Sequence, residues 1–341
     1  MYCESSWIFL VFIPMQPQKS FLFSLTKQVS RKSCLATLLS LIFVASALAQ
    51  SGQQTAAVPG TSTPVRLLRP PPPALEVGYK TLAFNDDFDS IKTIDVNDTG
   101  KRGYNWYLGL PFGGPTTSPN AFSVSGSVLN LTNCPRNYNW TISSYCIKGN
   151  YGYTFRYGYF EARIHFDPTL GKVSRGYPSW WSLSTHYSKV KEMFNSDHWA
   201  ELDFLEVYTP GFADYNGDFV GTVHDWANKS KTHYQNKNNV QPLPKDTDFN
   251  QWHTYGCLWQ PGRVTWYFDN KALMTQKYSA TAPPDPLANG TTVPTPAGVF
   301  YFLDTDPEGM LLVLGSDPNW PMYVDWVRVW QAEAKKHAGF P

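Results

Sequence analysis

Apolar and polar positions alternate with a period of two in several stretches of the chain. In residues 159–166, Tyr159, Glu161, Arg163 and His165 alternate with Phe160, Ala162, Ile164 and Phe166. That spacing predicts a half-buried strand with one apolar face. Arg263 to Phe268 (RVTWYF) predicts a second strand, running into Asp269-Asn270, a pair suited to a turn. Tyr323 to Trp330 (YVDWVRVW) predicts a third. No helical period of comparable length lies between them, and no repeat recurs at a fixed interval. The expected fold is all-β, with two antiparallel sheets packed face to face.

One stretch breaks the period in an informative way. In Ala200 to Tyr208 (AELDFLEVY) three carboxylates fall close together. On a helix, at about 100° per residue, Glu201, Asp203 and Glu206 would point roughly to 0°, 200° and 140° and share no face. On a strand, Glu201 and Asp203 share one face while Leu202 and Phe204 take the other. Glu206 is then one residue out of phase. A β-bulge between Asp203 and Glu206 would return it to the face of Glu201.

Three carboxylates in a partly dry cleft repel, and one of them relieves the repulsion by holding a proton at neutral pH. Retaining cleavage of a glycosidic bond uses that division: one ionised nucleophile and one protonated acid. The outer Cα atoms would lie about 13 Å apart over four strand steps. Two glutamates leaning together can close that span to the roughly 5–5.5 Å such a pair needs. By itself the string E-x-D-x-x-E equally describes an acidic, solvated strand edge.

Composition supports an all-β reading. Of 341 residues, 13 are Trp, 20 Tyr and 21 Phe, with 24 Gly and 27 Pro, a mixture suited to short strands and many turns. The aromatic content also suits stacking on sugar rings, although a large aromatic core accounts for it equally. Formal net charge is +1 and no basic run occurs, which argues against a nucleic-acid partner.

The N-terminal region has the pattern of an export signal. Lys27, Arg31 and Lys32 precede an apolar segment, Cys34 to Ala49, that ends in Ala47-Leu48-Ala49 before Gln50. Residues 1–49 are therefore expected to be a signal peptide, with Met15 as an alternative start. The expected location is outside the cytoplasm, extracellular or periplasmic, with no stable membrane association once the signal is removed. Residues 50–78, with Pro70 to Pro73, are expected to be a disordered Pro-rich linker. Residues 79–331 form the expected catalytic domain and 332–341 a polar tail. In an oxidising compartment Cys134 and Cys146 are candidate disulfide partners, leaving Cys257 unpaired in a strand.

The flanks of the carboxylate string carry a resemblance. The string resembles the active-site signature of glycoside hydrolase family 16, in its bulged form. Phe155 to Arg163 (FRYGYFEAR), Pro178-Ser179-Trp180-Trp181, Trp252 to Asp269 (WHTYGCLWQPGRVTWYFD) and Val324 to Val329 (VDWVRV) resemble further blocks of that family, in the same order. The resemblance implies a concanavalin-A-like β-sandwich, or jelly roll, with a curved substrate cleft and a double-displacement mechanism. By position it implies Glu201 as nucleophile, Glu206 as general acid/base and Asp203 as the group tuning the nucleophile.

His224 and Trp226 alternate onto one face of a predicted strand, Val220 to Trp226 (VGTVHDW), where they could contact sugar. Trp181 matches a cleft tryptophan of the family, and Trp180 should then point inward. Trp199 and Arg156 are further substrate-binding candidates. Tyr177 replaces a tryptophan common in the family. Asp325 matches an aspartate that holds a structural calcium in some members; no cofactor is required for the chemistry. The expected partner is a β-linked polysaccharide, and the expected state a monomer. A β-1,3- or β-1,3/1,4-glucan is the leading substrate. The alternatives are the same machinery on a galactan such as agar or carrageenan, transglycosylation, or a lectin-like module without catalysis.

Overall fold

The computed structural model describes residues 68–109, 122–131, 141–170, 178–185, 199–209, 218–227, 232–236, 239–244, 246–278, 302–305, 309–315 and 320–333. All lie in one compact unit, Val65–Pro341. As predicted, two antiparallel sheets face each other.

The outer sheet runs β16 (Lys271–Lys277), β15 (Arg263–Phe268), β14 (His253–Gln260), β8 (Gly158–Phe166), β18 (Met322–Gln331), β4 (Val128–Leu131) and β3 (Phe122–Ser125). β1 (Thr81–Asp86) pairs with the far end of β18. The inner sheet runs β12 (Thr232–Gln235), β11 (Phe219–Ala227), β10 (Trp199–Val207), β9 (Ser179–Ser184), β17 (Met310–Leu314), β5 (Ile142–Ser143) and β2 (Tyr107–Leu108). β13 (Val240–Gln241) also pairs with β11, and β6 (Tyr145–Cys146) pairs with β7 (Tyr151–Gly152).

Aromatic side chains fill the space between the sheets. Phe160 of β8 stacks on Phe204 of β10 at 4.8 Å and 15°, and Trp180 of β9 tilts against the same ring at 4.8 Å. Trp259 of β14 extends the stack behind Phe160. These contacts hold β10 in the centre of the inner sheet, against the centre of the outer one. The hairpin at Asp269-Asn270 forms as expected, both residues taking positive φ. Asp269 further accepts from the backbone N–H of Thr254 and lies 2.8 Å from Nδ1 of His253.

Three expectations need correction. The linker expected over 50–78 is ordered in its last part, because Pro72–Glu76 is a short helix, α1. Pro72 at its first position needs no N–H donor and has a φ already suited to a helix. α1 brings Ala74 and Tyr79 against Tyr159, Leu258 and Trp330 on the outside of the outer sheet.

For the same reason β8 is not half-buried along its whole length. Tyr159 and Glu161, on its outward face, are buried, and only Arg163 and His165 keep partial exposure. The alternation read from the sequence holds on the inward side, where Phe160, Ala162, Ile164 and Phe166 enter the core. Third, Cys146 is a free, buried thiol and not half of a disulfide. It is held within the β6–β7 pair, with its sulfur near Gly100. Cys134 lies outside the described residues, as do residues 1–67. Cys257 is unpaired and buried in β14, as expected.

Candidate active site

The carboxylates stand on β10, and the bulge inferred from their spacing is present. Against β11 the register shifts between Asp203 and Glu206; against β9 it shifts between Asp203 and Leu205. Its effect is visible in the core. Ala200, Leu202, Phe204, Leu205 and Val207 all belong to the main apolar cluster, so Phe204 and Leu205, neighbours in sequence, both turn inward. Consecutive residues of a regular strand point to opposite faces. The extra inward residue leaves Glu201, Asp203 and Glu206 together on the other face. Asp203 is 1% exposed, while Glu201 and Glu206 keep partial access to solvent.

Neighbouring strands complete the cluster. Glu201 pairs with His224 of β11 and with Leu183 of β9; Asp203 pairs with Thr222 and Trp181. Nε2 of His224 lies 2.9 Å from Oδ2 of Asp203. The approach is short but lacks the alignment of a full hydrogen bond, and that oxygen has no other donor. One donor or ligand atom from each of Glu201, Asp203 and His224 falls within 4.8 Å of the others. Tyr208 donates to Oε2 of Glu206 at 3.4 Å, a long contact.

The charge state follows from burial. Glu206 retains some solvent contact but is closely surrounded by protein. Desolvation raises its pKa to about 8, reinforced by the negative charge of Asp203 and opposed by His224 and the Tyr208 hydroxyl. Burial also holds Asp203 well above the usual carboxylate range. The site therefore avoids three simultaneous negative charges at neutral pH.

The other predicted site residues divide. Trp181 faces the same side of the inner sheet as the carboxylates, with its indole N–H donating to the Gly315 carbonyl at 3.2 Å. It packs there with Tyr145, Leu183, Leu311 and Val313 in a small apolar floor. Trp180 points into the core, as expected. His224 is brought onto Asp203. Trp199 and Trp226 are direct cross-strand partners at the end of β10 and β11, which places their Cα positions beside the site. Arg156 lies in the turn before β8, its guanidinium 5.7 Å from the Tyr157 ring. Its described packing is thus with Tyr157 and not with the carboxylates. Tyr177 lies outside the described residues.

Asp325, the calcium candidate, pairs with a cationic side chain. Its Oδ2 accepts from Nη1 of Arg163 at 2.5 Å, and the same guanidinium lies over the Trp252 ring. Calcium takes six to eight oxygen ligands, and one oxygen of this carboxylate is already engaged by the guanidinium.

Sequence reasoning passed over Tyr208, Thr222 and Asn236. Tyr208 follows the carboxylate strand directly, and that adjacency was the available signal. Thr222 is buried opposite Asp203, and its hydroxyl accepts from Asn239. Asn236 accepts from the Val223 N–H and donates to the Gly221 carbonyl, standing in for a strand beside β11. Nothing local in the sequence marks Asn236 as a partner of β11 or Thr222 as the residue opposite Asp203.

A β-sandwich with a bulged strand presenting three carboxylates to one face defines a class of carboxylate acid–base sites suited to glycosidic bonds. The family model described as glycosyl hydrolases family 16 matches residues 117–292, just over half of the chain, and the chain belongs to that family. Among curated proteins it is similar to the endo-1,3-1,4-beta-glycanase EglC of Rhizobium meliloti (strain 1021). The two are 27% identical over 227 residues, covering 59% of this chain and 43% of EglC. It is also similar to the endo-1,3-1,4-beta-glycanase ExsH of the same strain, 29% identical over 49% of this chain and 32% of ExsH. The matched region thus spans less than half the length of either relative. Among solved structures it is similar to a GlcNAcα1-4Gal-releasing endo-β-galactosidase from Clostridium perfringens. That likeness has a TM-score of 0.48 and 18% identity, over 76% of this chain and 64% of the other.

Proposed function

We propose that the protein is an endo-acting, retaining glycoside hydrolase of β-1,3- or β-1,3/1,4-glucan, exported by the signal-like segment that ends at Ala49. The observation that carries the reading is the bulge in β10. It gathers Glu201, Asp203 and Glu206 on one face, and burial sets the pKa of Glu206 to about 8. A group with that pKa is protonated at neutral pH and suited to give its proton to a leaving oxygen.

In this mechanism the Glu201 carboxylate attacks the anomeric carbon while Glu206 protonates the glycosidic oxygen. The bond to the leaving sugar breaks and a glycosyl ester forms on Glu201. Glu206, now ionised, takes a proton from water; the hydroxide portion attacks the same carbon and releases Glu201. Two inversions keep the β configuration. Asp203, beside His224, limits the negative charge around the nucleophile. Trp181, on the acid-bearing face, is buried with Tyr145, Leu183, Leu311 and Val313, and supports the carboxylates by packing beside them. The glucan assignment is supported by the names of the two bacterial relatives.

The test is a panel of laminarin, lichenan, agarose, carrageenan and xyloglucan with product sizing. Release of oligosaccharides from laminarin or lichenan is expected. Glu201→Gln and Glu206→Gln should each abolish turnover without unfolding the protein. For Glu201→Ala, added azide should restore turnover and give an α-glycosyl azide; that product from Glu206→Ala would reverse the two roles. Release from none of the five would leave a binding module as the better reading.

A further inference from the structure

A bulge removes backbone groups from the ladder, and buried backbone carbonyls need donors. In β10 the carbonyl at the start of the bulge belongs to Asp203. Its partner comes from the opposite sheet. The indole N–H of Trp266, on β15, donates to the Asp203 carbonyl at 2.7 Å within the core. Trp266 is fully buried, so its hydrogen bond faces no competition from water.

The reach of that side chain across the sandwich depends on a second residue. Gly221 of β11 precedes Thr222, the cross-strand partner of Asp203. A Cβ at Gly221 would stand 2.5 Å from both Cδ1 and Nε1 of Trp266 and 2.6 Å from Cε of Met274. Gly221 is not among the residues with positive φ. The glycine is therefore needed for space and not for an unusual backbone. The Asn236 side chain braces the same place, accepting from Val223 N–H and donating to the Gly221 carbonyl.

We propose that Trp266, admitted by Gly221, is a positioning residue that pins the bulge and so keeps Glu206 on the face of Glu201 and Asp203. It touches no substrate. It acts through the backbone of Asp203, and its action rests on the hydrolase reading above. Losing the indole donor would free the bulge to shift toward regular pairing, which carries Glu206 toward the core and alters both its position and its surroundings.

The test replaces Trp266 with 3-benzothienylalanine, which keeps the ring volume and removes the N–H. Turnover is measured on lichenan and laminarin. The expected result is a fall in kcat of about 10- to 100-fold, the scale of a small misplacement of a catalytic group, with KM changed less than about twofold. The high-pH limb of kcat/KM should shift as well. Gly221→Ala, which leaves the donor but crowds it, should give the same kcat-against-KM split.

Amide hydrogen exchange is followed in parallel and needs no turnover. Faster exchange across 203–206 in both variants, with the outer sheet unchanged, is expected. A wild-type protein inactive on both glucans would overturn the glucan reading and leave exchange to decide whether Trp266 pins the bulge. Unchanged kcat, pH limb and exchange in the benzothienylalanine variant would overturn the positioning role. A lower melting temperature with kcat and the pH limb intact would overturn it too, reducing Trp266 to a core residue.

Discussion

At the scale of single residues, the site is governed by what burial does to carboxylates. The pKa of about 8 for Glu206 has desolvation as its largest cause. The protonated acid is present below that value and is lost above it. The kcat/KM profile should therefore fall as pH rises through about 8, which a pH–rate series on lichenan would check. His224 opposes the shift by its charge. His224→Gln should move that limb to higher pH. The same shift has a consequence for stability. A carboxylate whose pKa is raised on folding favours the folded state fully below its unfolded value, near 4.5, and that contribution is lost as pH rises to about 8. Glu206→Gln should accordingly raise the melting temperature above pH 8 and change it little near pH 4, as read by thermal denaturation across pH. The trio itself was legible from spacing, because a six-residue string fixes which residues share a strand. The partners of the trio on β11 were less so. Cross-strand pairing joins Asp203 to Thr222, 19 positions away, and short-range patterns do not encode register over that distance.

At the scale of the element, β10 is a strand whose function depends on one irregularity. Phe204 and Leu205 both face the core, so deleting Leu205 removes the extra inward residue and leaves Glu206 on the face of Glu201 and Asp203 in a regularly alternating strand. The expected outcome is a folded variant, destabilised by about 2–5 kcal/mol through the lost Leu205 side chain, that keeps activity within about 100-fold of wild type, the scale of a small misplacement of a catalytic group. Complete loss of activity in a folded deletion variant would contradict the account. The bulge was readable because the acid pattern was out of phase by one residue. Its support was not, since Trp266 stands 63 positions from Asp203, on the other sheet, and nothing local ties it to Gly221 on β11. In the sequence Trp266 is one aromatic in an alternating strand and Gly221 one glycine among 24. Only packing makes them complementary.

At the scale of the whole described unit, the two faces of the sandwich are covered differently. The inner sheet leaves its carboxylates partly open. The outer sheet is closed in part by α1, which buries Tyr159 and Trp330 and lies over the strand carrying Glu161. Glu161 accepts from the Trp330 indole at 2.7 Å, and burial raises its pKa to about 7. Ala74→Asp would place a charge in that apolar contact. It should cost about 1–3 kcal/mol and lower the melting temperature by about 2–4 °C per kcal/mol. Specific activity of the folded protein should stay near wild type, because α1 packs on the side of the outer sheet away from the carboxylates. Calorimetry paired with an active-site assay would check both. The proline-rich composition of this segment read as linker because four successive prolines suit an extended chain. Two of them instead open a helix whose stability comes from the surface beneath it.

The sequence alone determined the class of fold, the strand that carries the acids, their common face and the phase slip that demands a bulge. These follow from local periodicity, which side-chain alternation writes directly into the chain. Tertiary structure decided the rest: that Asp203 is buried against His224, that Asp325 is taken by Arg163, that Cys146 stays a thiol, and that a tryptophan from the other sheet secures the bulge. Each of these depends on which distant residues share a few ångströms of space and on how much water remains there, quantities that exist only once the two sheets have closed on one another.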